Sequence, residues 1–299
     1  MSSLAPDERP ARLSVGTIGA GRVGAVLTAA LARAGHRAVA VSAVSRASLR
    51  RAEALVPQAE VLAPDAVAAR ADLLVLAVPD DVLPDLVGGL AAARAVRPGT
   101  LVAHTSGAHG YRVLDPLTAT GALPMALHPV MTFTGTDVDL QRLAGACFGV
   151  TAPEELRLAA EALVIEMGAE PVWVDEDNRT LYHAALALGA NNIVTLVNQA
   201  ADLLGRAGVE QPARMLGPLL GAALDNALRH GDAALTGPVA RGDAGTVRTH
   251  LRVLDEPAVR AAYVGMARLA AVRALAAGTL PPDRAETLLD VLASDEAAP

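Results

Sequence analysis

The spacing of apolar positions follows two regimes along the chain. Up to about residue 177, short apolar runs alternate with segments in which apolar residues recur every three or four positions, as strands followed by helices do. The runs fall near Val15–Ile18, 38–44, 60–62, 72–78, 100–107 (a strand with its exit loop), Ala122–Leu127, Cys147–Val150 and Pro171–Val174. The stretch D-L-L-V-L-A-V-P-D-D-V-L (72–83) is apolar without alternation, which fits a central parallel strand covered on both faces. Helices are predicted over about Arg22–Arg33 with Gly35 as the stop, over 64–70, and over 153–167 with Thr151 as cap. Asp80 and Asp81 read as caps of the helix after the fourth run. Beyond Asp175 only the helical period remains, giving helices near 178–207, 210–230, 243–254, 257–277 and 282–293, with a Gly/Pro-rich loop at 231–242. The pattern predicts an α/β chain, with a doubly wound sheet over 12–177 and an all-α domain over 178–299.

Composition narrows the setting. The chain has 299 residues, 52% of them hydrophobic and 19% charged, enough to bury a large core. The apolar run 184–204 is interrupted by Asn191, Asn192, Asn198, Gln199 and Asp202, so it reads as a buried helix and not a membrane span. A net charge of −7 without a basic face makes nucleic acid and anionic membranes poor partners. Residues 1–12 have no apolar core of a signal peptide, and the single Cys147 excludes an intrachain disulfide. A cytoplasmic protein is expected. The alanine-rich faces of the helical half predict a homodimer through that half.

The candidate chemistry begins at V-G-T-I-G-A-G-R-V-G-A-V (15–26), a strand, a tight turn and a helix. Gly19, Gly21 and Gly24 stand in the spacing G-x-G-x-x-G, with Arg22 and Val23 between them, which is the fingerprint of a dinucleotide-binding crossing. An NAD site places an acid at the end of the second strand; here Ser45 and Arg46 stand there, which suits the 2′-phosphate of NADP(H). Val78, Pro79 and Ser106 fall at the carboxyl edge of the predicted sheet, beside the cofactor. All 25 basic residues are arginine, so a lysine acid or Schiff base is excluded. Proton chemistry then falls to His183, which shares a predicted helix face with Asn191, or to His128 at a strand end. His104, Thr132 and Arg241 are candidates for the substrate side, Arg241 otherwise holding its own loop. His36, His109, His230 and His250 read as surface or capping residues, and Asp243 as a helix cap. No histidines pair with carboxylates at metal-ligand spacing.

G-A-G-R-V-G (19–24), L-A-V-P-D-D (76–81), H-T-S-G (104–107), H-P-V-M-T-F (128–133), Y-H-A-A (182–185) with Asn191, and L-T-G-P-V-A-R-G-D (235–243) together carry a resemblance. Over nearly its whole length the chain resembles the Rossmann-like proteins whose C-terminal half is a domain of unknown function. These sit in the wider superfamily of 6-phosphogluconate dehydrogenase and pyrroline-5-carboxylate reductase. The resemblance implies an NADP(H)-dependent oxidoreductase acting on a small keto acid or imine, with ketopantoate as first substrate, because some relatives are alternative ketopantoate reductases. Hydroxyacid-dehydrogenase relatives use a lysine three or four residues before an asparagine; Ala187 and Leu188 stand there in this chain. The resemblance therefore leaves His183 or His128 as proton donor, with Asn191 orienting the carbonyl. Two other readings stay open: a catalytically silent NADP-binding sensor or scaffold, and a deazaflavin-linked NADP oxidoreductase.

Overall fold

A computed structural model describes residues 12–294. Eight strands form one sheet: β1 Ser14–Ile18, β2 Arg37–Ser42, β3 Glu60–Val61, β4 Leu73–Leu76, β5 Leu101–His104, β6 Leu123–Pro129, β7 Cys147–Thr151 and β8 Glu170–Trp173. They lie in the order β3-β2-β1-β4-β5-β6-β7-β8, parallel throughout except where β6 meets β7. The helices α1 Arg22–Arg33, α2 Arg46–Leu55, α3 Pro64–Arg70, α4 Leu83–Ala92, α5 Asp115–Thr118, α6 Val138–Leu143, α7 Arg157–Glu166 and α8 Arg179–Leu186 connect and follow them. β4 shows why its sequence lacks alternation: Leu73 and Val75 enter one core cluster, and Leu74 and Leu76 enter the other. Both faces are covered, so every position is apolar.

The α/β reading and the bounds of α1 hold, and Gly35 ends α1 at φ +101°. Several local readings do not. Thr151 is no cap; it closes β7, and its hydroxyl donates to the Val174 carbonyl at 2.5 Å. Asp80 and Asp81 do not cap α4, which starts at Leu83 without a side-chain cap. His36 is buried, not on the surface: its Nδ1 accepts the Leu13 amide at 3.1 Å and its Nε2 meets Glu166 Oε2 at 2.7 Å.

The chain divides into two compact units at Gly189/Ala190, twelve residues beyond the expected boundary. α8 stays with the sheet because Arg179 ties it there, as described below. The second unit holds α9 Asn192–Arg206, α10 Pro212–His230, α11 Gly237–Ala240, α12 Ala244–Val253, α13 Pro257–Ala276 and α14 Pro282–Ser294. Its core gathers α11 to α14 around Val247, Ala271 and Leu288. Asp243 caps α12, as expected, by accepting the Thr246 amide at 3.0 Å.

The apolar run 184–204 is not buried. Within α9 and α10 only Leu216 is buried, so the pattern marked an apolar face that the second unit does not itself cover. By length and composition the helical run Glu176–Arg206 is apolar enough to cross a membrane. A π-turn over Ala187–Asn191 also interrupts the regular spacing read for His183, Ala187 and Asn191. Asn191 and Arg241 both lie in the second unit.

Candidate active site

The first crossing is built as its glycines require. Gly19 takes φ +96°, and a Cβ there would strike the Ala77 carbonyl. A Cβ on Gly24 would strike the Gly19 carbonyl and come within 2.9 Å of Ala77 Cβ. Gly21 differs: its nearest neighbour would be 4.0 Å away. The turn is thus locked at its first and third glycines and open at the second, where a pyrophosphate needs to approach. No side chain caps α1 at Gly21, and no acid lies in its first turn, so its N-terminal amides face the opening uncompensated. Val78 lies beside Gly19, at 3.3 Å from a Cβ placed there, and Pro79 is exposed at the same edge.

Ser45 caps α2 by accepting the Ser48 amide at 3.0 Å, and Arg46 is exposed on the first turn. Beyond them, Arg50 and Arg51 line a groove of about 570 Å³ against the loop Thr134–Asp137. Arg51 and Arg22 both pack against Gly135. Buried Asp139 fixes this loop, accepting the Thr134 and Gly135 amides at 2.8 and 2.7 Å. Burial pushes its carboxyl up, but these bonds outweigh that and hold it below the usual range. Thr132 is exposed on the segment leading to the loop.

Farther along the carboxyl edge, the structure brings His128 and His183 together. Their ring centroids are 6.1 Å apart and nearly perpendicular. Tyr182 OH lies 2.8 Å from His128 Nδ1. Gly107 makes the room: a Cβ there would come within 2.6 Å of His183 Cδ2 and 2.9 Å of His128 Nε2. Gly149, opposite His128 on β7, makes room for the Tyr182 ring in the same way.

Arg179 holds this cluster in place, and the sequence reading missed it. It is 1% exposed. Its guanidinium donates to the carbonyls of His109 at 2.9 Å, Gly149 at 3.2 Å and Ser106 at 2.7 Å, and it lies over the Tyr182 ring at 5.3 Å. The only available signal was the spacing R-x-x-Y-H, which sets Arg179, Tyr182 and His183 on one face of α8.

Burial, then the charges of Arg179 and His183, lower the His128 pKa to about 4, against the pull of Asp80. Asp80, read as a cap, in fact acts on the field at this site. Burial also raises the Tyr182 hydroxyl.

Two predicted ligands are structural instead. His104 is 0% exposed; its Nδ1 accepts the Ser106 amide at 3.2 Å and its Nε2 donates to the Gly110 carbonyl at 2.9 Å. No ring nitrogen is left for a substrate. Ser106 is buried, and its hydroxyl accepts the His109 amide at 3.1 Å, closing the turn that carries Gly107. Burial lowers the His104 pKa to about 3. Among the described residues, no three His, Cys, Asp or Glu side chains gather as a metal site.

Both imidazoles stay neutral in the folded protein where the unfolded chain protonates near 6.5. The folded state therefore loses stability as pH falls from 7 to 5, by about 2 kcal/mol for each histidine. Urea unfolding across that range measures it; a flat profile would show that neither ring is held neutral.

A locked nucleotide-type crossing and a histidine–tyrosine cluster on one edge of a doubly wound sheet, followed by a helical unit, define a class of two-part Rossmann-type proteins. The family comparisons give the particular combination: residues 2–129 match the Rossmann-like domain, and residues 146–270 match a domain of unknown function, DUF2520. The chain combines these two domains. No curated protein matches it.

Among solved structures it is similar to a candidate NADP oxidoreductase from Bacteroides fragilis (TM-score 0.72, 25% identity, covering 87% of this chain and 98% of that one). It is also similar in fold to Plasmodium falciparum pyrroline carboxylate reductase with NADP bound (0.55, 11%, 88% and 97%). An imine reductase from Pseudomonas shares the fold as well (0.57, 18%, 96% and 95%).

Proposed function

We propose that the protein is an NADP(H)-dependent oxidoreductase that reduces a small keto acid or imine, with ketopantoate the first substrate to try. The observation that carries this is the placement of His128, Tyr182 and His183 on the sheet edge that begins at the glycine turn. β1 and β6 are three strand spacings apart, about 14 Å. A dinucleotide laid along that edge, with its pyrophosphate at Gly21, brings its nicotinamide end toward His128.

NADPH supplies the hydride when bound. The chain's own part is to hold the carbonyl or imine and to move a proton. With Tyr182 donating to Nδ1, neutral His128 carries its proton on Nε2 and passes it to the substrate oxygen or nitrogen as the Tyr182 hydroxyl proton moves onto Nδ1, leaving the phenolate beside the Arg179 guanidinium until solvent reprotonates it. His183 stands beside that ring as the second proton-carrying group. The named activities of the similar oxidoreductases and reductases support the class of reaction. Ketopantoate rests on the sequence resemblance alone.

Ser45 at the start of α2, with Arg46, Arg50 and Arg51, supports NADPH over NADH. The Kd for NADPH is expected to be at least about tenfold below that for NADH, and Arg46→Ala is expected to erase most of the difference. Calorimetry with both nucleotides, followed by turnover on a keto-acid and imine panel, tests the reading. Tighter NADH binding would overturn the cofactor assignment. NADPH binding without turnover would favour the sensor or scaffold reading, and turnover only with added deazaflavin the third.

A homodimer through α9 and α10 is part of the same proposal. Val194, Leu219, Leu224 and Leu228 are exposed on these helices, while Asn198 and Asp202 on α9 favour a protein partner over a bilayer. Light scattering is expected to give twice the chain mass, reduced to the chain mass by Leu219→Glu with Leu228→Glu. A monomeric parent protein would refute it.

A further inference from the structure

We propose that the helical unit has a binding site of its own, for a small uncharged and mainly apolar molecule bearing one hydrogen-bonding oxygen or nitrogen. The site is a pocket of about 510 Å³ between α9, the 236–239 turn, α12 and α13. That volume lies within the range of small-molecule sites. Its walls are largely aliphatic, from Leu196, Leu203, Val239, Leu254 and Met266.

Into this apolar lining come a few polar groups from separate elements: Gln199 from α9, Thr236 from the turn, and the His250–Tyr263 pair from α12 and α13. Among the described residues neither the half-buried Gln199 amide nor the exposed Thr236 hydroxyl has a hydrogen-bond partner within the protein, so both are open to water or a ligand. Thr236 occupies the cap position of α11 but makes no capping bond. Histidine 250, read from sequence as a surface or capping residue, is half-buried; His250 Nδ1 lies 2.8 Å from Tyr263 OH, and the two rings meet edge to face at 85°. That bond fixes the imidazole and leaves Nε2 as its remaining hydrogen-bonding atom.

The lining also selects against charge. No charged side chain lines the pocket among the described residues. A carboxylate or ammonium would give up its hydration there without a counter-ion, whereas one carbonyl, hydroxyl or imine can be satisfied. The arrangement gives a use to the L-T-G-P-V part of the motif at 235–239. Gly237 at φ +91° with Pro238 turns the chain so that Thr236, Pro238 and Val239 all line the pocket.

The test uses the full chain with ¹³C-methyl methionine, and 4-phenylbutan-2-one as the added molecule. The Met266 methyl resonance is expected to shift saturably, while that of Met215, exposed on α10 outside the pocket, stays in place. Ala200→Phe, which fills the pocket from α9, is expected to abolish the shift. His250→Phe is expected to weaken binding about three- to tenfold, the weight of one net hydrogen bond. If Ala200→Phe fails to fold, the Met266/Met215 contrast in the parent protein and the His250→Phe affinity decide the matter. The proposal is overturned if Met266 does not respond at the solubility limit of the ketone, or if both methyls shift alike. It is equally overturned if 4-phenylbutanoate binds as well as the ketone, or if mixed labelling shows the Met266 methyl against a second copy of the chain.

Discussion

His128→Ala is expected to lower kcat about a hundred- to ten-thousand-fold on the keto acid or imine proposed as the substrate, the usual weight of a positioned proton donor. KM is expected to change little, because the imidazole acts on the bond being reduced more than on the body of the substrate. Three features set the size of this effect. Nδ1 is held by Tyr182 at 2.8 Å, so the ring cannot rotate freely. Gly107 leaves no side chain between Nε2 and the space beside it. Burial, with the neighbouring Arg179 guanidinium, keeps the ring neutral above about pH 4, so its donating form is present throughout the neutral range. Tyr182→Phe keeps the ring but frees Nδ1, and a loss of about tenfold is expected from disordered orientation alone. Steady-state kinetics of the two variants check both values. A His128→Ala enzyme with unchanged kcat would remove this ring from the reaction and leave His183 as the donor.

Arg179→Met is expected to destabilise the protein by about 3 kcal/mol and to depress activity although Arg179 need not touch a substrate. Methionine fills much of the same volume but donates nothing to the carbonyls of Ser106, His109 and Gly149. Each orphaned acceptor costs about 1–3 kcal/mol, partly offset because a buried cation is removed as well. The same three bonds pin the segment 106–109 and β7 to α8. Their loss frees Gly107 from beneath the two imidazoles. Denaturant unfolding gives the stability change. A variant as stable as the parent would show that the carbonyls find other donors. Arg179→Lys is expected to recover part of the stability, since an ammonium still donates but cannot span three carbonyls in one plane.

The parts of this architecture legible in sequence are those set by local rules. The bounds of α1, the glycine turn and the two-faced burial of β4 follow from period, from φ and from close approach over a few residues. The site was legible only in pieces. His128 and His183 stood out as polar residues in apolar surroundings, but 55 positions separate them, and no spacing rule announces that they meet. His104 occupies the same kind of strand end as His128, yet its two nitrogens are used by the backbone of its own exit loop. Pattern alone does not distinguish a histidine facing a ligand from one facing Gly110. Arg179 was overlooked because an arginine at the start of a helix is ordinarily solvated. The exposed face of α9 was misplaced for a related reason: periodicity reveals that a face is apolar, not which surface covers it.

The reversal between β6 and β7 carries a kinetic corollary. Because β7 and β8 run against the other six strands, the chain leaves β8 at the opposite end of the sheet, and α8 brings residues 179–183 back to the carboxyl ends of β5 and β6. Contacts from Arg179 and Tyr182 reach back 73 and 54 residues and wait for α8, whereas every residue of the turn at Gly19, including β4 and the Ala77 amide that bonds Ile18, lies before position 78. During synthesis, residues 14–77 of the glycine turn emerge from the ribosome well before Tyr182 and His183, so under the proposed function the capacity to bind precedes the capacity to turn over.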